Sequence, residues 1–97
     1  MTTSVRLTID HPSGLHARPA SSFVQTAARF QSDLQVKNFV SGKGPVNAKS
    51  ILSVLSLGVG SGGEIELTAN GSDEVQAVQA IKELVSSNFG EDQAKEN

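Results

Sequence analysis

The chain has 97 residues, a formal net charge of −2 and 37% apolar residues, with charged residues interspersed. That length holds one domain with a modest core, and the slight acidity supplies no basic patch of the kind nucleic acid requires. Having no Cys, the chain lacks disulfides, thiolate nucleophiles and cysteine metal sites, and no apolar run approaches the roughly 20 residues of a membrane helix.

Met1-Thr2-Thr3-Ser4 leads straight into an alternating segment with no secretory leader pattern, so a cytoplasmic protein is expected. Val5, Leu7 and Ile9 alternate with Arg6, Thr8 and Asp10, the period of a half-buried strand. His11-Pro12-Ser13-Gly14 reads as a loop. From Ala17 the spacing becomes helical, through Ala20, Phe23, Val24, Ala27 and Phe30, with Pro19 in the first turn. Leu34, Val36 and Asn38 predict a second strand. Ser41-Gly42-Lys43-Gly44 predicts a hairpin turn, and Pro45-Val46-Asn47 a short third strand at an edge.

Ser50 is placed to cap a short helix carrying Ile51, Leu52, Val54 and Leu55. Gly58, Gly60, Gly62 and Gly63 are expected to end it in a flexible loop. Ile65, Leu67 and Ala69 mark the fourth strand, and Asn70-Gly71 a turn. Ser72 is expected to cap a last helix, with Asp73 and Glu74 in its first turn, Val78, Ile81, Leu84 and Val85 as its apolar stripe, and Gly90 at its end. Residues 1–90 thus form one domain, and Glu91 to Asn97 a polar tail expected to fray. The order β-α-β-β-α-β-α implies an α+β, two-layer sandwich with all three helices on one face of the sheet.

Chemistry concentrates in Gly14-Leu15-His16-Ala17-Arg18-Pro19-Ala20. A loop delivers His16 where a helix begins, and free N–H groups there favour an anion. Arg18 adds a guanidinium whose donors match phosphate oxygens, and histidine is a neutral nucleophile near pH 7. The residues alone leave two readings open: an ordinary loop or capping histidine, or a phosphoryl acceptor. His11 beside Asp10 lacks any metal-ligand spacing and reads as a loop residue, so no metal is expected. Gly58-Val59-Gly60-Ser61-Gly62-Gly63 follows a helix and precedes a strand, the reverse of a dinucleotide fingerprint. Neither an acid pair nor a Ser–His–acid set suggests hydrolysis.

GLHARPA at Gly14 to Ala20, followed by Phe23 and Val24, resembles the active-site segment of HPr, the histidine phosphocarrier family of the bacterial sugar phosphotransferase system. Val46-Asn47-Ala48-Lys49-Ser50-Ile51-Leu52 and Ala69-Asn70-Gly71-Ser72-Asp73-Glu74 resemble two further segments of that family. The resemblance implies an antiparallel sheet of order 1-4-2-3 and a phosphoryl-transfer intermediate rather than an independent enzyme. It implies that His16 takes phosphate on Nδ1 from phosphorylated enzyme I and passes it to a IIA domain of a sugar transporter, with Arg18 stabilising the phosphate. Partners would dock on the first two helices, at Ala20, Val24, Ile51, Leu52 and Leu55, against a monomer needing no cofactor of its own.

Ser50 carries two readings: a helix cap, or the serine that an HPr kinase/phosphorylase modifies in one branch of the family. A phosphate there would add about −2 charge to the docking face. The alternative to a sugar carrier is a regulatory paralogue of a nitrogen-regulatory, fructose-specific or dihydroxyacetone-kinase branch, binding a partner such as a transcriptional regulator through Ser50. A plain α+β interaction domain would leave three motifs unexplained.

Overall fold

Alternating apolar residues place four strands in one sheet: β1 (Thr2–Thr8), β2 (Asp33–Asn38), β3 (Val46–Asn47) and β4 (Glu64–Asn70). They are seen in a computed structural model that describes residues 2–90; the expected tail from Glu91 lies outside the described residues. The order is β1-β4-β2-β3, antiparallel throughout. Because β4 lies between them, β1 and β2 run parallel to each other. Register aligns the apolar positions, pairing Leu7 with Ile65, Val5 and Val36 with Leu67, and Leu34 with Ala69. A slip of one residue would turn that whole set to solvent. The other face is polar, with Ser4 against Thr68 and ion pairs from Arg6 to Glu64 and Lys37 to Glu66.

Three helices cover the apolar face: α1 (Ala17–Ala27), α2 (Ile51–Leu55) and α3 (Glu74–Ser86). Phe23, Leu34, Leu57, Ile65, Leu67 and Ile81 are fully buried between the layers, each worth about 1.5–3 kcal/mol relative to exposure. Asn38 is the polar exception on the inner face. It donates to the Leu57 carbonyl at 3.0 Å and accepts from the amides of Val40 and Ser41, tying the end of β2 to the segment after α2.

Three helix ends differ from expectation; α1 stops at Ala27, short of Phe30. Asp73, not Ser72, occupies the N-cap position of α3. Its carboxylate accepts from the amides of Gln31 and Ser32, both at 2.9 Å, and from the Ser32 hydroxyl. A tertiary anchor has displaced the local cap. Glu74, in the first turn as expected, accepts from the Gly71 amide at 3.1 Å and the Thr3 hydroxyl at 2.6 Å. These bonds hold both carboxyls below their ordinary pKa range, the Ser32 hydroxyl being the main cause for Asp73 and the Thr3 hydroxyl for Glu74.

At the other end α3 stops at Ser86, not Gly90. Asn88–Gly90 form a short 3-10 turn in which Asn88 and Phe89 have φ of 59° and 60°. That left-handed backbone costs free energy, offset here by burial of the Phe89 ring.

Candidate functional site

The segment between β1 and α1 is laid against the segment between α2 and β4. Ile9 donates to the Gly63 carbonyl at 2.8 Å and accepts from the Gly62 amide at 2.7 Å. Leu15 donates to the Val59 carbonyl at 2.9 Å. Leu57, Val59 and Leu15 are buried. The glycine-rich segment is therefore not the flexible loop its composition suggested but a bonded platform under the histidine loop. Its apolar residues between glycines were the signal for this. His11 accepts at Nδ1 from the Ser13 amide at 3.1 Å and lies edge-on to Phe89 at 6.1 Å, within a local turn. Among the described residues, no three His, Asp or Glu gather as a metal ion would need.

Buried Leu15 plugs the loop into the core and leaves His16, the next residue, half-buried at the N-cap of α1. His16 is extended, with φ −135° and ψ 172°, and its side chain forms no cap bond. Ala17 then turns the chain into the helix with φ 51°, a left-handed conformation unusual for alanine. The first turn holds no acidic residue. Pro19 has no N–H, and Ala20 donates to the His16 carbonyl at a long 3.4 Å. The amides of Ala17 and Arg18 are thus the donors left for an anion at the start of α1. Arg18 is exposed, and among the described residues no ion pair or hydrogen bond engages its guanidinium or the His16 ring. A nucleophile and a cation thus stand two residues apart at the helix start, and among the described residues neither is spent on the fold.

Ser50 caps α2, accepting from the Ser53 amide at 3.3 Å. Its neighbour Lys49 donates to the Phe30 carbonyl at 2.7 Å, just beyond the end of α1. Ser50 thus lies toward one end of α1 and His16 at the other, across a helix of about 16 Å. Of the expected docking residues, Ile51 and Leu52 are exposed, Leu52 by 77%. Val24 and Leu55 are half-buried. Ala20 is a correction: it is fully buried on the inner side of α1 and offers no surface to a partner.

Charge is also less mixed than a composition reading suggests. Residues 11–32 and 34–63, which carry α1 and α2, contain Arg18, Arg29, Lys37, Lys43 and Lys49 but no Asp or Glu. All ten acidic residues lie elsewhere. That segregation is visible in the sequence itself.

Residues 3–87 match the family described as the PTS HPr component phosphorylation site. The chain belongs to the HPr family. HPr-C-His of Thermoanaerobacter tengcongensis is 44% identical, with a TM-score of 0.86, over 93% of this chain and 98% of that one. The phosphocarrier protein HPr of Bacillus anthracis is 40% identical, with a TM-score of 0.79, over 87% of this chain and 96% of that one. Crh of Bacillus subtilis, a catabolite repression protein solved as a domain-swapped dimer, is 42% identical, with a TM-score of 0.67, over 79% and 85% of the two chains. The fold derived above is therefore the HPr open-faced sandwich, and the role of the chain is that of a phosphotransferase-system phosphocarrier. Among the described residues no helix is long and apolar enough to cross a membrane.

Proposed function

We propose that His16 accepts the phosphoryl group of phosphorylated enzyme I and passes it to a IIA domain of a sugar transporter, in the cytoplasm. The observation that carries this reading is that His16 and Arg18, at the start of α1, are both unengaged among the described residues, in a chain of the HPr family. In the acceptor the Nδ1 lone pair attacks phosphorus in line. The bond from phosphorus to the donor breaks, and the donor keeps that electron pair. Nε2 retains its proton throughout. The amides of Ala17 and Arg18 and the Arg18 guanidinium face the phosphoryl oxygens. Such transfer asks mainly for positioning and charge stabilisation, and a partly open site lets the group leave again.

Partners dock on the face formed by Val24, Ile51, Leu52 and Leu55. Arg18 before and Lys49 beside this face supply its positive charge, which suits a partner surface rich in carboxylates. The working carrier is a monomer, read by light scattering against the dimer described for Crh. Incubation with enzyme I and phosphoenolpyruvate adds one acid-labile phosphate to the wild-type chain and none to His16→Ala. A wild-type chain that no enzyme I labels would refute the proposal.

Ser50 is a second modification site in this reading, favoured by its place at the helix end beside exposed Ile51 and Leu52. Phosphate there acts through the docking face, because Ser50 and His16 lie toward opposite ends of α1. Phosphorylation of Ser50 then slows labelling of His16 while the fold stays intact. Unchanged labelling of a stoichiometrically Ser50-phosphorylated chain contradicts the regulatory role.

A further inference from the structure

Two glycines flank the site, and they are not equivalent. Gly14 and Gly58 both have left-handed backbones, with φ of 71° and 64°. A methyl group added at Gly58 would meet nothing within 4 Å. At Gly14 it would stand 2.5 Å from the Val59 carbonyl oxygen, 2.7 Å from the Gly60 Cα and 2.8 Å from the Gly60 carbonyl carbon. All three neighbours are backbone atoms, which cannot swing aside as a flexible side chain does. The next residue, Leu15, donates its N–H to that same Val59 oxygen at 2.9 Å, and its side chain is fully buried. Two backbones therefore touch at Gly14, bond at Leu15, and release the chain at His16.

We propose that Gly14 is a positioning residue for His16, fixing where the imidazole stands by seating the histidine loop directly on the backbone of Val59 and Gly60. The inference rests on the reading of His16 as phosphoryl acceptor and extends it to residues that touch no phosphate. A side chain at position 14 must push the two segments apart by roughly 1 Å to restore ordinary contact. The displaced segment ends in the nucleophile two residues on. A misplacement of that size at a reacting group costs about 10²-fold in rate. The left-handed conformation alone does not, and Gly58 separates the two effects.

The test compares Gly14→Ala with Gly58→Ala in the full chain. Both carry the cost of alanine at positive φ; only the first carries the contact. With enzyme I and phosphoenolpyruvate, the maximal rate of His16 labelling falls about 10²-fold in Gly14→Ala. The carrier concentration for half-maximal rate does not change. Gly58→Ala labels at close to the wild-type rate. A second readout needs no phosphate: hydrogen exchange at the Leu15 amide speeds up about tenfold or more in Gly14→Ala and not in Gly58→Ala.

Equal maximal rates in the two variants, or unchanged Leu15 exchange in Gly14→Ala, overturns the proposal. If the wild-type chain takes no phosphate, the carrier reading fails first, and the exchange comparison still reports on the seat itself. Should Gly14→Ala fail to fold, an ester in place of the Leu15 amide removes the N–H donated to Val59. The same fall in maximal rate is then expected, and wild-type rates in that chain overturn the proposal.

Discussion

The two ends of the sheet are built by different means. At the end where β1 leaves and α1 begins, segments are joined by backbone-to-backbone bonds, from Ile9 to Gly62 and Gly63 and from Leu15 to Val59. His11 and Glu64 there bond within the fold, whereas His16 and Arg18 are left unengaged among the described residues. At the opposite end polar side chains do the joining. Asp73 clamps the turn after α1, Glu74 clamps Thr3 and Gly71, and Lys49 holds the Phe30 carbonyl. A carrier must take up and surrender a charged group at one place, so His16 and Arg18 serve the ligand while the backbone and the uncharged Asn38 side chain supply the rigidity. The other end has no such demand, and its carboxylates are free to stabilise the fold.

The contrast is broken most sharply by exchanging which property each end controls. Arg18→Ala lowers the rate of His16 labelling about 10²-fold, by loss of charge stabilisation, and leaves the thermal midpoint unchanged. A large loss of stability would place Arg18 among the structural groups. Asn38→Ala does the reverse at the same end. It strands the Leu57 carbonyl and the amides of Val40 and Ser41, and unfolding by urea reads a loss of about 1–3 kcal/mol.

At the opposite end, Asp73→Asn lowers the thermal midpoint while the folded variant labels at the wild-type rate. The folded pKa values of Asp73 and Glu74 are depressed. Their stabilisation is therefore complete above the unfolded-state pKa and is lost as pH falls through the folded values, below about pH 4. Asp73→Asn flattens that acid limb; a limb identical to wild type contradicts the clamp. The smallest effect belongs to Ser50→Ala, about 1 kcal/mol from loss of the bond to the Ser53 amide, with labelling of His16 unchanged.

How much of this was legible follows from the range of each interaction. Leu34-Gln35-Val36 and Ile65-Glu66-Leu67 announce strands because the period lies within a few residues. His16 beside Arg18 at a helix start announced a place for an anion for the same reason. Ser72 looked like the cap of α3 because local chemistry allows it, yet Asp73 took the position through partners at Gln31 and Ser32, about forty positions earlier. Phe89 was hidden because its burial requires a left-handed turn that no local pattern demands. Gly14 read as ordinary loop glycine; its contact with Val59 and Gly60 exists only once α2 and β4 are in place. Ala20 kept helical spacing but faced inward, since the apolar stripe of α1 serves the core before it serves a partner.

The division between the two ends is tested most directly by the amide spectrum of the isotope-labelled chain before and after treatment with enzyme I and phosphoenolpyruvate. The account predicts one phosphohistidine at His16 Nδ1. Amide shifts should gather in residues 11–20 and 57–63 and leave Gln31, Ser32, Gly71 and Glu74 unmoved. Phosphate on another residue, or shifts as large at the Asp73 clamp as at His16, would contradict it.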